Sequence, residues 1–261
     1  MTELLHDRVE YQVRDRVALI TLSRPKRLNA FDPAMYSGVN AALEMFRDDA
    51  DAWVAIIQAA GERAFTAGAD VNALNEYAAR GITSGLGGLL LDDSMVTDKP
   101  IIAAVHGHCV GEGVNLVLGC DLVIADTTAR FTISEVKIGV NPVDIPLKLA
   151  QRLGYAKAFA FLTPGDPMDA QWAAQAGLVE IIAPPGEVSQ VAFEFARRLV
   201  DQCAPLALRA QKATLWQAVF GDAETAREYG NTQRTMIRKS ADYAEGRQAF
   251  LEKRPPTFTG T

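Results

Sequence analysis

Two turns of small residues, Ala67-Gly68-Ala69-Asp70 and Gly111-Glu112-Gly113, carry the groups best suited to chemistry in this sequence. Each stands at the start of a predicted helix. The first N–H groups of a helix have no partner within it, and they sit at the positive end of its dipole. Small residues let a ligand approach that backbone closely. Two such turns facing one carbonyl oxygen would stabilise negative charge developing there, each donor contributing roughly 2.7–4 kcal/mol. The plainer reading is that both are tight turns needing glycine. Glu112 adds a carboxylate at the centre of the second turn, in either a structural or a catalytic role. His106, His108 and Cys109 stand just before it. A Cys/His nucleophile there lacks a positioned third group and lies in an apolar stretch, which favours a structural cysteine. Tyr155 and Trp172 read as core residues.

The elements that must position these turns follow from periodicity. Val13 to Leu22 is β-branched and partly alternating, a strand. Asp32-Pro33 opens a helix with Asp as N-cap and Pro at its first position. Met35, Val39, Ala42, Leu43 and Phe46 recur at helical spacing behind it. Trp53 to Ala59 reads as a strand buried on both faces. Residues 81–88, GITSGLGG, lack the lysine of a phosphate loop and read as a mobile linker or a helix start. Strand 101–105 leads into a glycine-rich bend, Gly107 to Gly113, and a helix from Val114. Leu122 to Ala125 and Phe131 to Ser134 are strands, and Leu147 to Leu153 is helical. Beyond Pro184-Pro185-Gly186 the pattern is helical alone, with segments at 188–200, 205–220 and 222–239. Strands alternating with helices, then helices only, predict an α/β core with a C-terminal helical subdomain.

Composition narrows the classes. A chain of 261 residues can bury a large core, and 49% hydrophobic against 22% charged residues is an ordinary globular balance. A net charge of −6 disfavours nucleic acid as a partner, because phosphate backbones ask for a basic footprint. No run approaches the roughly 20 apolar residues of a membrane span, so no membrane partner is expected. The polar N-terminus does not read as a signal peptide. Cys109, Cys120 and Cys203 fit neither a disulfide framework nor a zinc site, which predicts no metal and a reducing, cytoplasmic setting.

The segments ITLSRPKRLNAF, AFTAGAD, KPIIAAVHGHCVGEGVNLVLGCDLVIAD, ARFTISEVKIGVNP and EGRQAFLEKRPPTF, in that order, resemble the crotonase superfamily, the enoyl-CoA hydratase/isomerase family. The resemblance spans nearly the whole chain. It implies a crotonase-like spiral of ββα units over residues 1–195 with the acyl-CoA site, and a C-terminal helical oligomerisation region over 196–261. It implies an acyl-CoA thioester substrate, an enolate intermediate, and a homotrimer or homohexamer. Coenzyme A enters as part of the substrate, with no separate cofactor. By position, the oxyanion-hole N–H groups fall on Ala69 and Glu112. The CoA- and substrate-facing positions fall on Arg24, Lys26, Arg27 and Leu28, on Ala67, Asp70, Val71 and Asn72, and on Gly111. Arg24, Lys26 and Arg27 would then serve the CoA phosphates, unless they are simply solvated loop charge.

The sequence departs from the family's hydratase pattern at one of two glutamates. Glu135 is retained, whereas Asn115 stands at the other position. An amide cannot exchange a proton at neutral pH, but it can orient water or substrate. Glu135 is therefore the expected general acid/base, its pKa tuned by an apolar surrounding. Asp144 is a further catalytic candidate, from a segment where some relatives place a working aspartate; otherwise it caps the helix before Pro146. The expected activity is a proton transfer of the enoyl-CoA hydratase/isomerase type. The alternatives are other enolate chemistry, namely aromatic enoyl-CoA hydration and cleavage, decarboxylation, dehalogenation or thioester hydrolysis, and a non-catalytic acyl-CoA-binding role.

Overall fold

A computed structural model describes residues 2–261. The chain opens with an antiparallel meander, β1 (Thr2–Leu5), β2 (Val9–Arg14) and β3 (Val17–Leu22). The expected single strand from Val13 to Leu22 is thus two. Asp15 and Arg16 both take positive φ, +51° and +66°, and reverse the chain in a two-residue turn whose twist matches a hairpin. The pair is not the usual Asn-Gly or Asp-Gly, so the turn carries little sequence signal.

Helix α1 (Pro33–Asp48) follows, capped by Asp32, whose carboxylate accepts from the Met35 N–H. The helix buries Met35, Val39, Ala42, Leu43 and Phe46 against the core, as their spacing predicts. The next three passes share one pattern. β4 (Val54–Ala59) leads to β5 (Ala64–Thr66), α2 (Val71–Ala79) and the short α3 (Leu90–Asp93). β6 (Ile101–Val105) leads to β7 (His108–Val110) and α4 (Glu112–Leu118). β8 (Leu122–Asp126) leads to β9 (Arg130–Thr132), a 3-10 turn at Glu135–Ile138 and α5 (Asp144–Leu153). In each pass the first strand joins one sheet and the second strand joins another, which makes a spiral of ββα units. α6 (Tyr155–Leu162), β10 (Met168–Asp169), α7 (Ala170–Ala176) and β11 (Ile181–Ala183) complete the core. Among the described residues the larger sheet runs β1-β2-β3-β4-β6-β8-β11 and the smaller β10-β9-β7-β5. The strands β3, β4, β6, β8 and β11 are mutually parallel in the larger sheet; β6 is buried along its whole length and β4 and β8 over most of theirs, which fits their largely apolar sequences.

Four helices end the chain: α8 (Val188–Gln202), α9 (Pro205–Phe220), α10 (Ala223–Ile237) and α11 (Ala241–Glu252). α8 runs through the expected 195/196 boundary. It covers the outer face of the larger sheet, where Ala192, Ala196 and Val200 pack with Val54, Ile56, Ile102 and Ile124. Among the described residues, no helix is long and apolar enough to cross a membrane.

Three local expectations need correcting. The glycine-rich bend from Gly107 to Gly113 contains the strand β7, and α4 already begins at Glu112. Residues 81–88 are not a helix start, and their end is packed rather than loose. Leu86 and Leu89 are buried, Gly87 lies against the Tyr36 ring, and the Asn40 side chain holds the Gly88 carbonyl and the Leu90 N–H. Tyr155 is 78% exposed and stacks on Phe159, whereas Trp172 does pack on the core through Phe161.

Candidate functional site

The two small-residue turns lie at the ends of adjacent strands of the smaller sheet, β5 and β7. β5 hands the chain to Ala67–Asp70 and α2; β7 hands it to Gly111 and α4. Glycine is required where the turns meet. Gly68 has φ +85°, and a Cβ there would stand 2.8 Å from the Val110 carbonyl oxygen and 3.7 Å from the Glu112 nitrogen. Gly113 lies against Thr66 and Cys109 so closely that a side chain would collide with the Thr66 methyl. The turns are therefore in van der Waals contact, a tertiary fact that spacing alone does not supply.

The first turn is held from behind. Thr66 is buried; its hydroxyl donates to the Asn29 carbonyl at 2.7 Å and accepts from the Gly68 N–H at 3.1 Å. Asn29 is fully buried, with its amide on the Ala60 and Ala64 carbonyls and its own φ at +53°, a conformation asparagine tolerates. The Phe31 N–H donates to the Gly68 carbonyl, and the Asp70 N–H donates to the Phe31 carbonyl. In a trans peptide the N–H points opposite to its C=O. The Ala69 N–H, on the same peptide as the Gly68 carbonyl, therefore points away from Phe31. Among the described residues neither the Ala69 N–H nor the Glu112 N–H meets an acceptor. Both are left without a partner inside the fold.

Glu135 stands beside the second turn. Gly111 has φ +49°, its N–H donates to the Thr132 carbonyl, and a Cβ on it would overlap the Glu135 carboxylate. Among the described residues, the Oε2 atom of Glu135 is buried with no hydrogen-bond partner. Burial pushes this carboxyl above its ordinary pKa, opposed only by the backbone N–H groups of Glu135 and Ser134. A half-buried acid with one oxygen unspoken for can take up and release a proton.

Asn115 and Glu112 belong to a polar network behind α4. The Asn115 amide donates to Asp92 Oδ1 at 2.9 Å and to Glu112 Oε1 at 3.0 Å, and its oxygen accepts from Lys148 Nζ at 2.9 Å. Lys148 also pairs with Asp92 at 2.7 Å. Both amide hydrogens of Asn115 are thus committed to protein carboxylates. The Glu112 carboxyl is held above the usual range, first by burial and then by the charge of Asp92, against the hydrogen bond from Asn115. The Tyr36 hydroxyl faces it, and Tyr36 is itself held well above a phenol's ordinary pKa by burial and by Glu112. Tyr36, Asp92 and Lys148 carried no signal in the sequence, because they sit on α1, α3 and α5 and meet only in the folded chain.

The remaining candidates separate. Asp144 is the first residue of α5, exposed, with no capping hydrogen bond, so the expected helix cap is absent and Val143 stands at that position. With Asp92, Lys148 and Leu147, Asp144 lines a cavity of about 690 Å³ that reaches Trp216 and Phe220 of α9; Glu135, Ala69 and Gly111 do not line it. Lys26 and Arg27 are exposed on a 3-10 turn, with Leu28 closing it at φ +52°. Arg24 is drawn inward to Asp70. Asp70 caps α2 through the Asn72 and Ala73 N–H groups, while Val71 is 66% exposed. The Cys109 thiol is fully buried and pushed far up by desolvation and by Cys120, which removes it as a nucleophile.

The chain matches the family described as enoyl-CoA hydratase/isomerase over residues 12–261. It is similar to the 2,3-dehydroadipyl-CoA hydratase of Escherichia coli (strain K12), 34% identical over 268 residues and covering 100% of both chains. It is 36% identical over 247 residues to the carnitinyl-CoA dehydratase of Salmonella typhi, covering 92% of this chain and 94% of that one. Among solved structures, a probable enoyl-CoA hydratase/isomerase from Mycobacterium abscessus superposes with a TM-score of 0.88 at 29% identity, covering 98% of this chain and 100% of that one. The enoyl-CoA hydratase from Mycobacterium tuberculosis H37Rv gives 0.86 at 33% identity, covering 97% and 99%.

Proposed function

The chain belongs to the enoyl-CoA hydratase/isomerase family and is an acyl-CoA-processing enzyme of the crotonase type, and we propose that it stabilises a thioester enolate with Glu135 as its general acid/base. The thioester carbonyl oxygen accepts from the Ala69 and Glu112 N–H groups. As the enolate forms, charge grows on that oxygen and both bonds strengthen, which lowers the barrier more than it tightens ground-state binding. Glu135 moves the proton. In water addition, its carboxylate takes a proton from water as oxygen bonds to the β-carbon, then returns a proton to the α-carbon. In dehydration the steps reverse. In double-bond migration the same carboxylate carries a proton between two carbons.

The observation that carries this reading is the buried, unpartnered Oε2 of Glu135, on a carboxylate packed against Gly111 and so one residue from a free N–H. Asn115 takes no proton in this scheme. Its amide hydrogens are spent on Asp92 and Glu112, which supports a role in holding α4. The names of the curated relatives, hydratase and dehydratase, favour water addition or removal over migration. Lys26 and Arg27 would meet the CoA phosphates, and the chemistry asks for no cofactor beyond the CoA of the substrate. Exposed apolar side chains on the last helices, Leu215, Val219 and Phe220 on α9 and Phe250 and Leu251 on α11, fit burial against further copies of the chain. That supports assembly with further copies of the chain, which we take to be a homotrimer or homohexamer, and we place the enzyme in the cytoplasm.

The test is incubation with crotonyl-CoA and with a 3-enoyl-CoA, followed by ultraviolet absorbance and mass. Water addition raises the mass by one water, and migration shifts the absorbance at constant mass. The Glu135→Gln variant loses whichever activity is found; full retention would end this assignment.

A further inference from the structure

Arg24 stands in the loop where the resemblance implies CoA phosphate contacts, but its guanidinium is turned inward. Its side chain is 18% exposed. One terminal nitrogen lies 2.6 Å from Asp70 Oδ2 and 3.1 Å from the Ala30 carbonyl oxygen, and the other lies 3.3 Å from Asp32 Oδ2. Asp32 Oδ2 also accepts from Arg8 Nε at 3.0 Å. Two arginines and two aspartates form a closed cluster with no net charge. It offers no surplus cation to a phosphate.

The two aspartates have a common place in the chain path. Phe31 and Ala69 form an isolated parallel bridge, and Asp32 and Asp70 are the next residue on each side of it. Asp32 caps α1 through the Met35 N–H, and Asp70 caps α2 through the Asn72 and Ala73 N–H groups. Arg24 thus bolts together two helix starts at the bridge that aims the Ala69 N–H. The Asp70 carboxyl is held below its usual range: burial pushes it up, and the Arg24 hydrogen bond and charge, with the Ala73 and Asn72 N–H groups, more than offset that.

We propose that Arg24 is a positioning residue that fixes the Ala69 N–H through Asp70 and Asp32, and is not a ligand of the CoA phosphates. This rests on the reading of Ala69 as a donor to the thioester oxygen. Losing the bolt lets the Gly68–Ala69 peptide drift. A misplacement of this kind, short of losing the donor, costs kcat about 10- to 100-fold and leaves substrate affinity nearly unchanged.

The experiment compares Arg24→Gln with the double variant Lys26→Ala/Arg27→Ala on two substrates, crotonyl-CoA and crotonyl-pantetheine. The second carries the same thioester without the phosphorylated adenosine part. Arg24→Gln should lower kcat by the same factor on both substrates, with KM moving less than about threefold. The double variant should raise KM on crotonyl-CoA alone. Arg24→Lys, which places one point charge where the fork made three contacts, should fall between wild type and Gln. A raised KM on crotonyl-CoA with no loss on crotonyl-pantetheine would make Arg24 a phosphate ligand and overturn the proposal. Amide hydrogen exchange of the same variants reads positioning without turnover: residues 66–75 lose protection in Arg24→Gln and keep it in the double variant. Unchanged exchange in Arg24→Gln also overturns the proposal. If wild type turns over neither thioester, the functional reading fails, and the exchange result still decides the role of Arg24.

Discussion

Replacing Gly68 by alanine tests whether contact between the two turns matters. The perturbation is one methyl group. It would stand 2.8 Å from the Val110 carbonyl oxygen, about 0.6 Å inside the 3.4 Å edge of ordinary contact. That oxygen belongs to the peptide that leads into Gly111 and α4, so it cannot swing aside like a flexible side chain. The residue also holds φ +85°, which costs an L-residue roughly 1–2 kcal/mol. Overpacking adds roughly 1–3 kcal/mol. The melting temperature should therefore fall by roughly 4–20 °C, taking about 2–4 °C per kcal/mol for a chain of this size. The turns must part by several tenths of an ångström, which moves the Ala69 N–H relative to the Glu112 N–H. With about 100-fold lost per ångström of misplacement, kcat should drop at least about tenfold at temperatures where the variant is folded. Steady-state kinetics beside a melting curve reads both. Gly177→Ala is the control: φ is +89° there, and none of the described residues lies within 4 Å of the added methyl. It should lose stability through backbone strain and keep kcat. If Gly68→Ala keeps wild-type kcat while folded, the two turns do not act on one oxygen.

Other perturbations have equally definite outcomes. Glu135→Gln should abolish turnover yet raise stability at neutral pH. The Glu135 carboxyl is raised in the folded state, so its stabilising contribution is full below its unfolded pKa and lost as pH rises through its folded one; the amide removes that loss, as melting curves between pH 4 and 8 would record. Asp70→Asn has the opposite sign. Asp70 is depressed in the folded state, so its contribution is present above its unfolded pKa and lost as pH falls through its folded one. The variant should be less stable at pH 7 and converge with wild type in acid denaturation. Asn115→Ala leaves Lys148, Asp92 and Glu112 without their shared partner and should cost about 1–3 kcal/mol in urea unfolding. Asn115→Asp adds a negative charge beside two carboxyls and should cost more. Cys109, buried and held as a thiol, should resist alkylating reagents in the native protein and react on unfolding.

What the sequence discloses and what it withholds divide along physical lines. The α1 start was legible at Asp32-Pro33 because a cap and a proline are local signals. Strands β4, β6 and β8 were legible as short apolar runs. The turns at Gly68 and Gly111 were legible as helix starts because glycine marks backbone that no other residue accepts. The hairpin at Asp15-Arg16 was not, since Arg16 takes a positive φ at the position where a glycine would have marked the turn. β10 and β11 are two and three residues long, too short to show a period. The Asn115 network leaves no local signal because its partners are distributed over α1, α3, α4 and α5. Arg24 shows the same limit from the other side. Its place in a basic loop suggested a phosphate contact, whereas Asp70, 46 residues on, draws its guanidinium inward.

The central claim is an enolate held by the Ala69 and Glu112 N–H groups and protonated or deprotonated by Glu135. Its most direct test is solvent-deuterium labelling. Wild-type protein and Glu135→Gln are incubated in deuterium oxide with crotonyl-CoA and with a 3-enoyl-CoA, and the acyl group is read by mass spectrometry and NMR. With wild type, deuterium is expected at the carbon next to the thioester where water adds, and at that carbon or the γ-carbon where the double bond migrates, with none above the uncatalysed level in Glu135→Gln. Equal labelling by the two proteins would contradict it.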